Sequence, residues 1–120
     1  MSHPFVHIEI SSNSLDESKQ FYGTVFGWQF QDWPEMNYVT FAPAGPEATG
    51  GGLNPVNENV PAGTVTVYIG THDIDATVAN IEANGGKIIL PKMEVPGVGW
   101  LAFFLDPTGN QMALIQGPSA

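Results

Sequence analysis

Hydrophobic and polar residues alternate in two short segments of the chain, residues 5–10 and 64–69. A period of two is typical of a strand that places one face on a core. The intervening polar positions include His7, Glu9, Thr66 and Tyr68. The alternating apolar residues are Val6, Ile8, Ile10, Val65, Val67 and Ile69.

Each of these strands is followed by apolar residues at helical spacing and then by glycine. Asn13 or Ser14 is suited to cap the first helix, because a side-chain oxygen there accepts an unpaired backbone N–H. Gly27 ends that helix, since glycine enters the left-handed conformation without steric cost. The second helix is predicted at about residues 75–84, and it carries its apolar side inward.

A shift of 59 residues superposes the two halves, so that His7 falls on Thr66 and Gly27 on Gly86. The pattern predicts the order βαβββ twice, in modules of about residues 5–56 and 62–116 within one domain, residues 1–120. Residues 91–99 are either a mobile flap or an ordinary hairpin connection. The remaining predicted strands are residues 28–32, 37–42, 51–54, 87–90, 99–105 and 111–116.

Composition narrows the range of partners. The chain has 120 residues, 42% of them apolar, which is enough for a core. Twelve acidic and three basic residues give a net charge of -9, which repels nucleic acid and anionic membranes. We find no signal peptide or membrane span, and therefore expect a cytoplasmic protein. The chain contains no cysteine, so disulfides and thiolate metal sites are excluded.

Several segments together resemble the vicinal oxygen chelate superfamily of glyoxalases, bleomycin-resistance proteins and extradiol dioxygenases. They are HIEI, FYGTVFGW, GGGL, DIDATVANIEANGG and PGVGWLAFFLDPTGNQMALI, and the resemblance covers about residues 5–116. It implies an α+β fold in which the two modules form a cupped, barrel-like mixed sheet with the helices outside. It also implies pairing of two chains into a homodimer.

Enzymes of this superfamily hold a divalent metal with side chains from the first strand of each module and from a last strand. His7 matches one such position, but Thr66 and Ala113 stand at two others, and Asn54 is the corresponding position of the first module. Threonine is a poor ligand for Zn, Ni, Mn or Fe, and alanine is none. We therefore expect no metal cofactor, with an ion held by His7 and Glu9 as the minority alternative.

The other candidate residues each have a structural interpretation as well. His7 suits acid–base chemistry near neutrality, with Glu9 or Tyr68 assisting, but all three can be ordinary strand residues. Trp100 and Phe104 are either an aromatic wall for a ligand or core residues. Residues 50–52, three glycines, lack the lysine of a phosphate loop.

These observations favour a glyoxalase-like protein that binds a small organic molecule in the sheet cavity, lined by Thr66, Asn54, Trp100, Phe104 and Ala113. One alternative is an enzyme of the lyase, isomerase or dioxygenase type, either metal-dependent or based on His7. The other is a dimeric interaction module without a ligand.

Overall fold

The computed structural model describes residues 2–46 and 48–117. Within these ranges the chain forms two α-helices, eight strands and a short 3-10 helix at Pro34–Met36. The other elements are β1 Phe5–Ser12, α1 Leu15–Phe26, β2 Phe30–Trp33, β3 Tyr38–Phe41, β4 Gly51–Pro55, β5 Val65–Gly70, α2 Ile74–Ala83, β6 Lys87–Val95, β7 Gly99–Leu105 and β8 Gln111–Gln116.

The predicted α+β class and the order βαβββ, repeated twice, are confirmed. The residues fall into two compact units, one spanning His7–Thr66 and the other comprising the residues up to Val6 together with those from Val67 onward. The start of β1 groups with the second unit, where the Gly70 N–H donates to the Pro4 carbonyl at 2.9 Å.

The possibility of a mobile flap at residues 91–99 is wrong. Strand β6 continues to Val95 and pairs with β7 as far as Val95 and Gly99. The pairing accommodates Pro91 through register shifts between Leu90 and Met93, because proline cannot donate to the ladder. Residues 91–95 are therefore part of the strand, and the connection of this hairpin is residues 96–98.

The first unit contains a mixed sheet of four strands. Strand β1 pairs with β4 in parallel, and β4 pairs with β3, and β3 with β2, in antiparallel fashion. Val39, Phe41 and Leu53 point to one face and are buried. The Phe41 ring stacks on Trp28 with centroids 4.4 Å apart, and this contact extends the core to the residues just after α1.

The helix of the first unit begins and ends as its sequence predicts. The Ser14 hydroxyl accepts from the Glu17 backbone N–H at 3.2 Å, and Gly27 ends the helix with a φ of 73°. Its inward face is narrower than expected, because Phe21 and Val25 are more than half exposed. Neither helix of the described residues is long and apolar enough to cross a membrane.

The second unit contains the other four-stranded mixed sheet. Strand β5 pairs with β8 in parallel, and β8 with β7, and β7 with β6, in antiparallel fashion. Helix α2 covers one face, as its inward apolar residues predict. The buried cluster comprises Ile74, Ala102, Phe104 and Leu114, against which Ile69, Val78, Ile81, Ile88, Trp100 and Met112 pack.

A tight turn at Asp106 joins β7 to β8. The carboxylate accepts from the backbone N–H groups of Thr108 and Asn110, each at 2.9 Å, and from the Asn110 side chain. The bonds from Asn110 come first among the causes that lower the pKa of Asp106 from 3.8 to about 2. These contacts give Asp106 a structural role in the turn.

Candidate functional site

A polar face of the first sheet brings His7, Glu9 and Tyr38 together. His7 and Glu9 are two residues apart on β1, so both side chains project from the same side of the strand. Glu9 lies opposite Gly52 of β4, and Gly52 lies opposite Thr40 of β3. Since Tyr38 and Thr40 are also two residues apart, Tyr38 projects from this face as well.

The Tyr38 hydroxyl connects the other two side chains. It donates to Glu9 Oε2 at 3.0 Å and lies 2.8 Å from His7 Nε2. A phenol has one hydrogen, and an ionised carboxylate can only accept. With that hydrogen directed to Glu9, the bond to His7 requires Nε2 to carry a hydrogen and to donate it to the phenol oxygen. The arrangement therefore favours the Nε2–H tautomer of His7.

Gly52 is the reason that the tyrosine can reach across strand β4. A Cβ atom placed on Gly52 would collide with the Tyr38 hydroxyl oxygen and with the adjoining ring carbon. Glycine within a strand often marks such a close approach of another group. Gly52 thus leaves room for the Tyr38 side chain to cross strand β4. This role agrees with the absence of phosphate-loop features at residues 50–52.

A second polar contact lies beside this group on the same face. The Trp33 indole N–H donates to the Thr40 hydroxyl at 3.0 Å, and Trp33 lies opposite Tyr38 in the ladder.

The imidazole of His7 is 27% exposed and the Glu9 side chain 14% exposed. Both are therefore accessible from outside the protein while being held by the sheet.

Among the predicted site residues, Asn54 lies two residues along β4 from the position that corresponds to Ala113. The position opposite Glu9, equivalent to Ala113 opposite Tyr68 in the second sheet, is Gly52. Asn54 lies opposite Ser11 instead. The shift of 59 residues does not hold for the last strand of the first module, because Gly52 follows Glu9 by 43 residues (52 − 9) whereas Ala113 follows Tyr68 by 45 (113 − 68).

The predicted site residues Thr66, Tyr68 and Ala113 are buried, with exposures of 2%, 4% and 0%. Tyr68 packs edge-to-face against Phe103, with ring centroids 6.1 Å apart. Thr66 and Tyr68 are therefore not exposed to solvent, although they fall at the polar positions of the alternating pattern. In the second sheet, Ala113 faces the same side as Tyr68, and its other ladder neighbour is Phe103.

Trp100 and Phe104 lie on the opposite face of the second sheet, against α2. Phe104 belongs to the buried cluster, and Trp100 packs on that cluster with the Lys92 ammonium 4.5 Å from its ring centroid. Their position agrees with the core interpretation and not with an aromatic wall beside Ala113. We do not include them in the site proposed below.

The residues do not fit the metal centre that the resemblance implies. Thr66, Ala113 and Gly52 supply no strong ligand, and the Tyr38 hydroxyl occupies both His7 Nε2 and Glu9 Oε2. Within residues 2–46 and 48–117, no three His, Cys, Asp or Glu side chains are grouped to hold an ion. No buried side-chain nitrogen or oxygen there lacks a hydrogen-bond partner, so no orphaned group points to a missing ligand.

The second unit also contains an open groove of about 1230 Å³ beside the start of α2, with His72 and Asp73 in its lining. The backbone N–H groups at this helix start are already used. Ile74 donates to Gln116 Oε1 at 2.7 Å, and Ala76 donates to Asp73. We assign no ligand to this groove.

Comparison with known proteins places these features in context. The profile of the Glyoxalase/Bleomycin resistance protein/Dioxygenase superfamily matches residues 5–114. A glyoxylase-like domain-containing protein of Didymella fabae is 30% identical over 117 residues, which are 92% of this chain and 91% of the relative. A lactoylglutathione lyase of Arabidopsis thaliana is 32% identical over 131 residues, with coverage of 96% and 45%.

The chain spans less than half the length of several relatives, for example 44% of one from Mycobacterium tuberculosis. Among solved structures, a Streptomyces coelicolor methylmalonyl-CoA epimerase in complex with 2-nitronate-propionyl-CoA has a TM-score of 0.69 at 20% identity. The match covers 98% of this chain and 96% of the epimerase. At this identity, the likeness shows the fold.

Proposed function

The chain belongs to the Glyoxalase/Bleomycin resistance protein/Dioxygenase superfamily, and on this premise we propose that it binds a small organic molecule on the polar face of its first sheet. The observation that carries the proposal is the hydrogen-bonded group of His7, Tyr38 and Glu9. It combines acidic, basic and hydroxyl groups that remain partly exposed, and such convergent polar groups orient small ligands in proteins.

The charge of the protein favours some ligands over others. A net charge of -9 and the carboxylate of Glu9 within the site repel anions. We therefore propose a neutral or cationic ligand with a hydrogen-bond donor for Glu9. This separates the chain from the epimerase relative, whose solved complex contains an acyl-CoA. The binding requires no metal ion, in keeping with the poor fit of the residues to one.

A thermal-shift screen with organic cations and neutral aromatic metabolites tests the proposal. A ligand present at 100 times its Kd stabilises the folded state by about 2.7 kcal/mol, and the melting temperature should rise by several degrees. His7→Ala and Glu9→Gln should lose the shift, while His72→Ala, on the second unit, should keep it. If no compound of either class raises the melting temperature of the wild type, the proposal is wrong.

A second candidate function is catalysis of proton transfer next to a carbonyl, as in an isomerase, an epimerase or a lyase. The chain of acid–base groups favours it, because His7 is held in one orientation by Tyr38, which in turn is held by Glu9. Tyr38, which was not among the predicted site residues, contacts both His7 and Glu9, whereas Tyr68 was predicted to assist His7. The names of the epimerase and lyase relatives point to the same class of reaction.

This candidate is tested by following exchange of the α-proton of methylmalonyl-CoA, and of uncharged carbonyl compounds, in heavy water. Exchange by the wild type that His7→Ala abolishes would support a base role for His7. Exchange that persists in full in His7→Ala would exclude it.

The remaining proposals concern assembly and location. We propose that the chain forms a homodimer in the cytoplasm. Phe21, Val25 and Phe26 form an exposed apolar strip on α1, with exposures of 55%, 57% and 59%, which supports an interaction surface. Light scattering after gel filtration should give twice the chain mass of 12.8 kDa, and a mass of one chain at micromolar concentration would contradict the dimer.

A further inference from the structure

The Tyr38 hydroxyl lies next to the place that a divalent ion joining His7 and Glu9 would occupy. His7 Nε2 and Glu9 Oε2 are 3.8 Å apart, and the phenol oxygen is 2.8 Å from the first and 3.0 Å from the second. Two ligands that bind one zinc ion at about 2.0–2.2 Å each are separated by about 3–4 Å. The two atoms are thus spaced for an ion, and the hydroxyl fills the gap between them.

We propose that Tyr38 replaces a divalent cation at this position, holding His7 and Glu9 together through hydrogen bonds and keeping metal ions away from them. The phenol oxygen and an ion cannot occupy the same space. Removal of the tyrosine side chain should therefore expose a latent metal site made of one imidazole and one carboxylate.

Two further features of the same face act in this direction. The hydrogen-bond pattern places a hydrogen on His7 Nε2, and a protonated ring nitrogen has no lone pair for a metal. Gly52, opposite Glu9, contributes no side chain, and any Cβ there would displace the hydroxyl. The Tyr38 hydroxyl can therefore reach His7 and Glu9 only because position 52 is glycine. At a position where the resemblance implies a metal ligand, the chain has space for these hydrogen bonds instead.

This inference does not require that the face binds an organic ligand. Its experiment uses zinc ions alone and observes the histidine rings directly. A failure of the ligand screen and a failure of the present inference are therefore distinguishable.

The test is a titration of the full, untagged chain, labelled with ¹⁵N-histidine, with Zn²⁺, followed through the ring nitrogen signals of His7. The wild type should show no stoichiometric change at His7. Tyr38→Ala should bind Zn²⁺ through His7 at least about tenfold more tightly than the wild type, since the hydroxyl no longer bonds to His7 Nε2 and Glu9 Oε2. The gain should vanish in Glu9→Gln/Tyr38→Ala, which keeps His7 as the reporter and removes the carboxylate.

Thr40→Val is the matched control, because Thr40 lies on the same strand and the same face but bonds to Trp33. It should leave zinc binding at the wild-type level. Stoichiometric zinc binding to His7 in the wild type, or equal affinities of the wild type and a folded Tyr38→Ala, would overturn the proposal.

Tyr38→Phe keeps the ring and provides a second readout if the alanine variant does not fold. In the absence of zinc, the wild-type His7 signals should show the Nε2–H tautomer. Tyr38→Phe should shift them toward a mixture of tautomers. Unchanged ring signals in this variant would show that the phenol does not hold His7, and the proposal would fail.

Discussion

Replacement of Gly52 is the most direct test of the site geometry. Replacing Gly52 with alanine puts a methyl group where the Tyr38 hydroxyl lies, next to the backbone of β4. The strand cannot move away easily, because Gly52 is paired on both sides, with Glu9 of β1 and with Thr40 of β3. The tyrosine side chain must therefore leave its position.

The cost follows from what Tyr38 loses. A hydrogen bond between neutral groups contributes about 0.5–1.5 kcal/mol and one to a charged group about 1.5–3 kcal/mol, and the hydroxyl makes one bond to His7 and one to the Glu9 carboxylate. Overpacking adds about 1–3 kcal/mol. A displaced and partly exposed hydroxyl forms hydrogen bonds to water instead, which offsets part of the loss. We therefore expect a net destabilisation of about 2–4 kcal/mol, in the lower part of the range that these contributions span.

The assay is thermal unfolding followed by circular dichroism. For a chain of this length, 1 kcal/mol corresponds to roughly 4 °C, so the melting temperature of Gly52→Ala should fall by about 8–16 °C. Gly45→Ala is the matched control, because a Cβ at Gly45 meets nothing within 4 Å. Its free energy of unfolding should stay within about 0.5 kcal/mol of the wild type.

A double-mutant cycle separates this explanation from a general effect on strand β4. In a Tyr38→Ala background the atoms nearest to the methyl group are removed, so that Gly52→Ala should cost at least about 1 kcal/mol less than in the wild type. Equal costs in the two backgrounds, or a Gly52→Ala protein as stable as Gly45→Ala, would refute the assignment of the space to Tyr38.

Three further predictions concern the rest of the chain. Ser14→Ala should lower the free energy of unfolding by about 1 kcal/mol in urea titrations, because the Glu17 N–H loses its cap; no change would show that the cap is dispensable. Leu114→Ala should cost about 2–5 kcal/mol in the same assay, since this side chain is 1% exposed within the cluster under α2; a cost below 1 kcal/mol would contradict close packing there. Because the folded pKa of Asp106, about 2, is below its ordinary value of 3.8, its carboxylate stabilises the fold above about pH 4, and this contribution is lost as the pH falls toward 2. The difference in urea midpoint between the wild type and Asp106→Asn should therefore shrink from pH 5 to pH 2, and a constant difference would contradict this role.

Local sequence patterns predicted most of the elements in this chain. The predicted strands at residues 99–105 and 111–116 have the observed bounds, and α1 ends at Gly27 as expected. Caps, turn residues and short periodic patterns act within a few residues, so their physics is present in the sequence itself. The same holds for the absence of metal ligands at Thr66 and Ala113, which is a matter of side-chain chemistry.

The central member of the candidate site was not predicted. Tyr38 is 31 residues from His7 along the chain, and only the pairing of β1, β4 and β3 brings its hydroxyl to Nε2. The signal available in the sequence was the glycine at position 52, inside a predicted strand. It became informative only when the register placed that glycine between Glu9 and Thr40.

The sequence by itself thus determined the succession of strands and helices, the likeness to the superfamily, and which side chains are chemically able to bind metal. The tertiary structure decided which of them meet. The strand register moved the key position by two residues, from Asn54 to Gly52, and the placement of α2 put Trp100 and Phe104 on the core side. Alternation along a strand fixes which residues share a face, but the pairing of distant strands decides which residues face each other across the sheet.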